Sequence, residues 1–253
     1  MINRRPLIGT SWKMNHTSTA AIQYFRTLLP LVEPLADREL FVLPPFTSIW
    51  VARIELAGSR LAWGAQDVHE ADAGAYTGDV SAPMLADLGC RFVEIGHSER
   101  RRWHGETDER VGAKVHAALR WGMTPVVCVG EPERIETPSS QEFVIGQLER
   151  GLGELTGPEL DRIVVAYEPV WAIGTGAQAA PVEHVGAMHG SIRVWLAGRG
   201  AIVPRVIYGG SVDVSNAPTI LAASDVHGLF VGRAALDPTA FAAIASTPVG
   251  VPS

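Results

Sequence analysis

The sequence predicts an α/β protein built as one closed (β/α)8 barrel, and three observations carry that expectation. Eight short apolar runs recur along 253 residues, longer amphipathic stretches lie between them, and no linker is long enough to divide the chain. A single domain over residues 1–253 is therefore expected. The runs are nearly continuous in apolar residues, without the polar alternation of a half-exposed sheet. Such runs suit parallel strands buried on both faces. An open doubly wound sheet is the alternative, and the even spacing of eight units with Gly and charge at the strand ends weighs against it.

In chain order the expected strands are "LIGT" (7–10), "LFVLP" (40–44), "LAWGA" (61–65), "FVEIG" (92–96), "PVVCVG" (125–130), "IVVAYEP" (163–169), "VIYGG" (206–210) and "GLFVG" (228–232). Helical periodicity appears in "TSTAAIQYFRTLLPLV" (17–32), "TDERVGAKVHAALRWG" (107–122), "QEFVIGQLERGLGEL" (141–155) and "PVEHVGAMHGSIRVWLAG" (181–198). Thr107 followed by Asp108 and Glu109 reads as a helix start, with a side-chain cap and acids in the first turn. Pro181 followed by Glu183 reads as another.

Apolar residues make up 47% of the chain and charged residues 19%, which fits a protein with a sizeable core. The net charge of −6 gives no electrostatic support to a nucleic-acid or anionic-membrane partner, so any affinity for anions must be local. No apolar run is long enough to span a bilayer, and "MINRRPLIG" enters a strand without a signal core, so a cytoplasmic location is expected. Cys90 and Cys128 lie in or beside apolar runs and read as buried free thiols. "NHT" at Asn15 matches a glycosylation acceptor, which has no consequence without secretion. His16, His69, His104, His116, His184, His189 and His227 show no metal-ligand spacing, and neither a metal nor an organic cofactor is expected.

In a parallel barrel the chemistry gathers at the C-terminal ends of the strands. Lys13 follows the first run, His97 with Ser98 and Glu99 the fourth, and Glu168 the sixth. The seventh and eighth are followed by Gly209-Gly210-Ser211 and Gly232-Arg233. Taken singly, the lysine is a solvated charge, the histidine a polar cap and the glutamate half of an ion pair. Together they converge on one mouth beside two glycine-rich turns, an arrangement suited to phosphate. The chemistry that fits is proton transfer next to a carbonyl. Glu168 takes a proton from carbon, neutral His97 polarises oxygen, and Lys13 stabilises the developing enediolate. "GTGAQA" (174–179) matches a dinucleotide fingerprint only formally, because it does not leave a first strand and no acid follows about twenty residues on. It reads better as a lid, rigid at Pro169 and Trp171 and small from Gly174 to Ala179.

Along nearly the whole chain, "WKMN", "PPFT", "GAQ…GAYTGDVS", "GHSERR", "CVGE", "AYEPVWAIGTG" and "YGGSV" stand in an order and spacing that resemble the triosephosphate isomerase family, the founding TIM barrel. The resemblance implies Lys13, His97 and Glu168 as catalytic residues, this glutamate base and neutral histidine being that enzyme's known pairing. It implies Glu99 as the carboxylate near Lys13, and phosphate binding at Gly174, Ser211 and Gly232. Tyr208 and Ser211 would hold a closed lid that includes Ile173. It further implies a small phosphorylated sugar as substrate and a homodimer, in which loop 66–81 docks into a neighbouring subunit and Thr77 buttresses its site.

Three positions depart from the family's usual pattern. Ser11 stands where an asparagine is usual, Arg233 where a second glycine is usual, and Phe230 where a leucine clamps the base. Arg233 adds a side chain beside the phosphate site. These departures resemble a branch acting on four-carbon ketose phosphates, the L-erythrulose-1-phosphate isomerases, and that substrate is the expectation, with triose phosphate the alternative. Two readings of another class are a Schiff-base aldolase using Lys13 and a barrel that binds a sugar phosphate without turning it over.

Overall fold

A computed structural model describes residues 5–174 and 178–248. Eight parallel strands close in sequence order: β1 (Leu7–Ser11), β2 (Glu39–Leu43), β3 (Ala62–Ala65), β4 (Phe92–Ile95), β5 (Thr124–Val129), β6 (Val164–Tyr167), β7 (Arg205–Tyr208) and β8 (Gly228–Val231). β8 pairs back onto β1, with Gly9 opposite Phe230, and this pairing completes the barrel expected from the apolar runs.

Around the strands lie ten α-helices among the described residues: α1 (Ser18–Val32), α2 (Phe46–Glu55), α3 (Ala82–Asp87), α4 (Ser98–His104), α5 (Asp108–Arg120), α6 (Thr137–Leu152), α7 (Gly157–Leu160), α8 (Val182–Gly198), α9 (Ala217–Leu221) and α10 (Pro238–Ala245). Thr17 caps α1 and Thr107 caps α5, each accepting a backbone N–H through its hydroxyl. Pro181 stands at the N-cap of α8. The simple count of eight alternating helices falls short after β4 and β5, where the connections carry two helices each. The seven-residue α4 escapes periodicity because it is too short to show an apolar stripe, and none of its residues is buried.

Two apolar layers form. The larger fills the space between strands and helices, and the smaller fills the barrel itself. Inside the barrel Phe41 stacks on Phe92 at 4.5 Å and on Phe230 at 5.7 Å. Gly9 makes room for this stack, since a Cβ there would lie 2.0 Å from the Phe41 ring. The aromatic plug closes the barrel below the C-terminal mouth, so the space above it is a cavity with a floor. At the opposite mouth a cavity of about 480 Å³ is lined by Arg5, Glu39, Asp161 and Arg205 among others. There Arg205 grips both Glu39 oxygens, and Asp161 accepts the backbone N–H groups of Ile202 and Val203. No helix among the described residues is long and apolar enough to cross a membrane.

Candidate active site

Lys13 leaves β1 in a left-handed conformation, φ +53°, which costs a non-glycine residue on the order of 1 kcal/mol and needs external support. Gln66 supplies it. Its Nε2 donates to the Lys13 carbonyl at 3.0 Å and to the Leu43 carbonyl at 2.9 Å, tying the turn after β1 to the end of β2. Beside it, Trp12 is fully buried against Tyr24 and Phe25, so the residue before the lysine is anchored too. The ammonium swings back over the mouth and donates to Glu99 Oε1 at 2.8 Å. Burial alone would lower the Lys13 pKa. The Glu99 hydrogen bond, with the charges of Glu168 and Glu99, outweighs it and holds the value above its ordinary 10.5.

His97 is the N-cap of α4. Its Nδ1 accepts the Glu99 backbone N–H at 3.1 Å, which requires that nitrogen to be unprotonated and puts the ring's proton on Nε2. Nε2 lies 3.6 Å from Glu168 Oε2, so the donor faces the space where the carboxylate works. A short helix that the sequence pattern hides thus sets the tautomer of the key imidazole.

Glu168 follows β6, with its backbone N–H bound to the Val129 carbonyl at 2.8 Å. Two glycines fit closely around it. A Cβ on Gly130 would fall 1.9 Å from the Glu168 carbonyl oxygen, and one on Gly209 would fall 2.7 Å from Glu168 Cγ. The carboxyl is buried, and its Oε2 has no hydrogen-bond donor within the protein.

The segment expected to be a lid starts beyond Glu168. Ser211 holds its first part, donating from both its backbone N–H (3.1 Å) and its hydroxyl (2.8 Å) to the Ala172 carbonyl. Tyr208 holds its far end, its hydroxyl accepting the Ala180 N–H at 3.2 Å. Residues 175–177 of that segment lie outside the described residues. A cavity of about 780 Å³ opens here, and Lys13, His97, Glu168, Ser11, Glu99, Ile173, Gly174, Ser211, Phe230, Gly232 and Arg233 all border it. Tyr208 is buried behind the wall, and Thr77 stands exposed on the projecting loop away from it.

Phe230 and Ser11, two of the departures from the family's pattern, each contact another residue inside the barrel. Phe230 belongs to the aromatic plug, where Phe41 stacks on it. Ser11 borders the cavity with its hydroxyl donated to Glu94 Oε2 at 2.7 Å.

Three residues of the site carried no assigned role in the sequence. Glu94 reaches into the cavity from β4. Gln66 supports Lys13. Glu131 is fully buried and accepts from Trp171 Nε1 at 2.7 Å and the Tyr167 hydroxyl at 3.0 Å, fixing the rigid end of the lid segment. Gln66 and Glu131 lie in quoted motifs, "GAQ" and "CVGE". Glu94 was visible as an acid interrupting the apolar run "FVEIG".

Comparison with known proteins agrees with this geometry. The family model described as triosephosphate isomerase matches residues 6–247. The triosephosphate isomerase of Moorella thermoacetica is 46% identical over 95% of this chain and 98% of its own length, and that of Solibacter usitatus is 42% identical over the same shares. A crystal structure of triosephosphate isomerase from Bartonella henselae superposes with a TM-score of 0.85 at 35% identity, covering 95% of this chain and 97% of its own. The agreement runs from strand β1 to helix α10 and covers nearly the whole of each relative: the chain is an isomerase and belongs to the triosephosphate isomerase family.

Proposed function

We propose that the enzyme interconverts dihydroxyacetone phosphate and glyceraldehyde 3-phosphate through an enediolate. The observation that carries this reading is the pairing across the mouth: His97 Nε2, made the donor by the hydrogen bond at Nδ1, stands 3.6 Å from the carboxyl of Glu168. Glu168 removes a proton from the carbon next to the carbonyl and returns it to the neighbouring carbon. His97 donates to the carbonyl oxygen, and Lys13 places a fixed positive charge where the enediolate forms. Backbone N–H groups at Gly174 and Gly232 receive the phosphate, with Arg233 at the rim, and Ser211 joins them once closure of the lid segment releases its N–H from the Ala172 carbonyl. Ile173 and the segment that follows close over the substrate and exclude water, with Tyr208 and Ser211 as anchors.

The four-carbon substrate rested on Ser11, Phe230 and Arg233. Ser11 is engaged by Glu94 and Phe230 by Phe41, and the names of the relatives favour the triose. An aldolase using Lys13 needs a neutral amine, whereas this ammonium is ion-paired and its pKa is raised.

Turnover of the purified enzyme on dihydroxyacetone phosphate and on L-erythrulose 1-phosphate, compared as kcat/KM, tests the assignment. Efficient triose turnover is expected; a strong preference for the tetrulose would overturn it. Glu168→Gln should lose roughly three or more orders of magnitude in kcat with KM little changed. Near-normal kcat in that variant would remove Glu168 as the base.

A homodimer completes this reading. The tip of loop 66–81 is exposed, including Tyr76 and Thr77, and Met14, next to Lys13, is 96% exposed, as an apolar residue at a subunit contact is before assembly. Sedimentation analysis should give twice the mass of one chain. A monomer at micromolar concentration contradicts the dimer.

A further inference from the structure

Glu94 enters none of the steps above, yet it lies at their centre. It is 2% exposed and points into the barrel two residues beyond Phe92, one layer above the aromatic plug. Inward positions in such barrels are ordinarily filled by branched apolar side chains. Its polar partners are neutral: the Ser11 hydroxyl at 2.7 Å and the Cys128 thiol at 4.0 Å, a thiol that burial keeps protonated. One oxygen of Glu94, one of Glu168 and the Cys128 sulfur lie within 4.8 Å of one another. Both carboxyls are out of water, and Glu168 Oε2 has no donor. Two carboxyl groups so placed do not both ionise without a large penalty, so one of them keeps a proton. The reaction needs Glu168 without one.

We propose that Glu94 is a positioning residue for the isomerisation: a carboxylic acid that holds its proton beneath Glu168 and, by staying neutral, keeps a second negative charge out of a site that receives a phosphate and builds an enediolate. The inference rests on the isomerase reading of the same cavity. Burial pushes the Glu94 carboxyl up to about 7; the charge of Glu168 acts in the same direction, while His97, the Ser11 hydroxyl and Lys13 act against it. On the remaining strands the inward residues, including Leu43, Ile207 and Phe230, are apolar and contribute no charge. Ionisation of Glu94 as the pH rises past neutrality therefore weakens catalysis, because the new charge faces the developing oxyanion in a low-dielectric site.

The test is the ratio of kcat/KM between wild type and Glu94→Gln, measured with dihydroxyacetone phosphate. The substrate phosphate and the other enzyme groups titrate in both proteins, so the ratio isolates Glu94. It should fall about tenfold or more between about pH 6 and about pH 9, with its midpoint near neutrality. A ratio constant within about twofold over that range overturns the proposal. If the wild type turns over no triose phosphate, the triose assignment has failed, and the titration still decides Glu94. In the free enzyme, the ¹³C carboxyl resonance that is lost in Glu94→Gln should titrate near neutrality. A midpoint in the ordinary carboxylate range of about 4 overturns the assignment. Should Glu94→Gln not fold, Ser11→Ala serves: it removes a donor that favours the ionised form, so the midpoint of the wild-type pH profile must rise. A midpoint that does not rise counts against the proposal.

Discussion

Gly209 lies against the Glu168 side chain with no room for a methyl group, and Gly209→Ala is therefore a clean way to displace the base. A Cβ there would stand 2.7 Å from Glu168 Cγ, 3.0 Å from Oε1 and 3.3 Å from Cδ, whereas ordinary contact begins at 3.4 Å. Restoring that spacing moves the carboxylate by about 0.7 Å, and misplacement near 1 Å costs a reacting group on the order of a hundredfold. The expected loss in kcat is about ten- to a hundredfold, a barrier increase of about 1.4–2.7 kcal/mol. Gly209 does not occupy the left-handed region, so alanine is compatible with its backbone and folding should survive. Binding should survive as well, since the expected phosphate-binding positions, Gly174, Ser211 and Gly232, lie outside the contact. Steady-state kinetics on triose phosphate then give a reduced kcat with KM and phosphate inhibition within about twofold of wild type. A kcat equal to that of wild type would refute the argument, and so would a loss confined to KM. Either would mean that the base does not depend on this packing.

Two further perturbations follow from buried acids. Glu131→Ala removes the acceptor of Trp171 Nε1 and one partner of the Tyr167 hydroxyl, which keeps His184 Nε2 at 2.9 Å; with the half-buried indole N–H left unmatched, urea unfolding should show a loss of about 1–3 kcal/mol, accompanied by a lower kcat/KM as the rigid end of the lid segment loosens. Glu94 makes stability itself depend on pH. Its folded pKa of about 7 lies above the ordinary 4.5, so the native state holds an extra proton between those values; the stabilisation is full below about 4.5 and is lost as the pH rises through about 7, by about 3 kcal/mol. Urea titrations of wild type and Glu94→Gln should diverge by that amount from pH about 4.5 to about 8, and parallel curves would contradict the shift.

The barrel was legible because its strands, buried on both faces, are written as apolar runs that need no partner to be recognised. The reacting groups were legible for a related reason: each is a charged or imidazole side chain at the point where an apolar run stops. What stayed hidden acts through the backbone or through a neighbour. Gln66 reads as one polar residue in a loop, and only the left-handed turn at Lys13 shows what its amide is for. Helix α4 leaves no periodic trace, yet it determines which nitrogen of His97 carries the proton. The Ser11 departure was visible, but its meaning lay 83 residues away in Glu94, a distance no local pattern spans. The fold sets the carboxyl of Glu94 against the serine hydroxyl at position 11.

The two mouths of the barrel divide stability from chemistry, and the division can be seen in how polar groups are satisfied. At the N-terminal mouth Arg205 and Glu39 pair through two hydrogen bonds, and Asp161 binds two backbone N–H groups, so each of these carboxylates has its donors. At the C-terminal mouth Lys13 holds a left-handed backbone, Glu168 keeps a buried oxygen without a donor, and Glu94 is buried against neutral partners. Each of these is unfavourable in isolation, by roughly 1–3 kcal/mol for a strained residue or an unmet polar atom. They persist together because the aromatic plug, the Gln66 clamp and the Glu131 network over-determine the surrounding structure. An unsatisfied carboxylate oxygen is what a base must offer if it is to take a proton from carbon. Supplying Glu168 with a permanent donor would stabilise the protein and slow the reaction, so the defect at this mouth is retained for what it does.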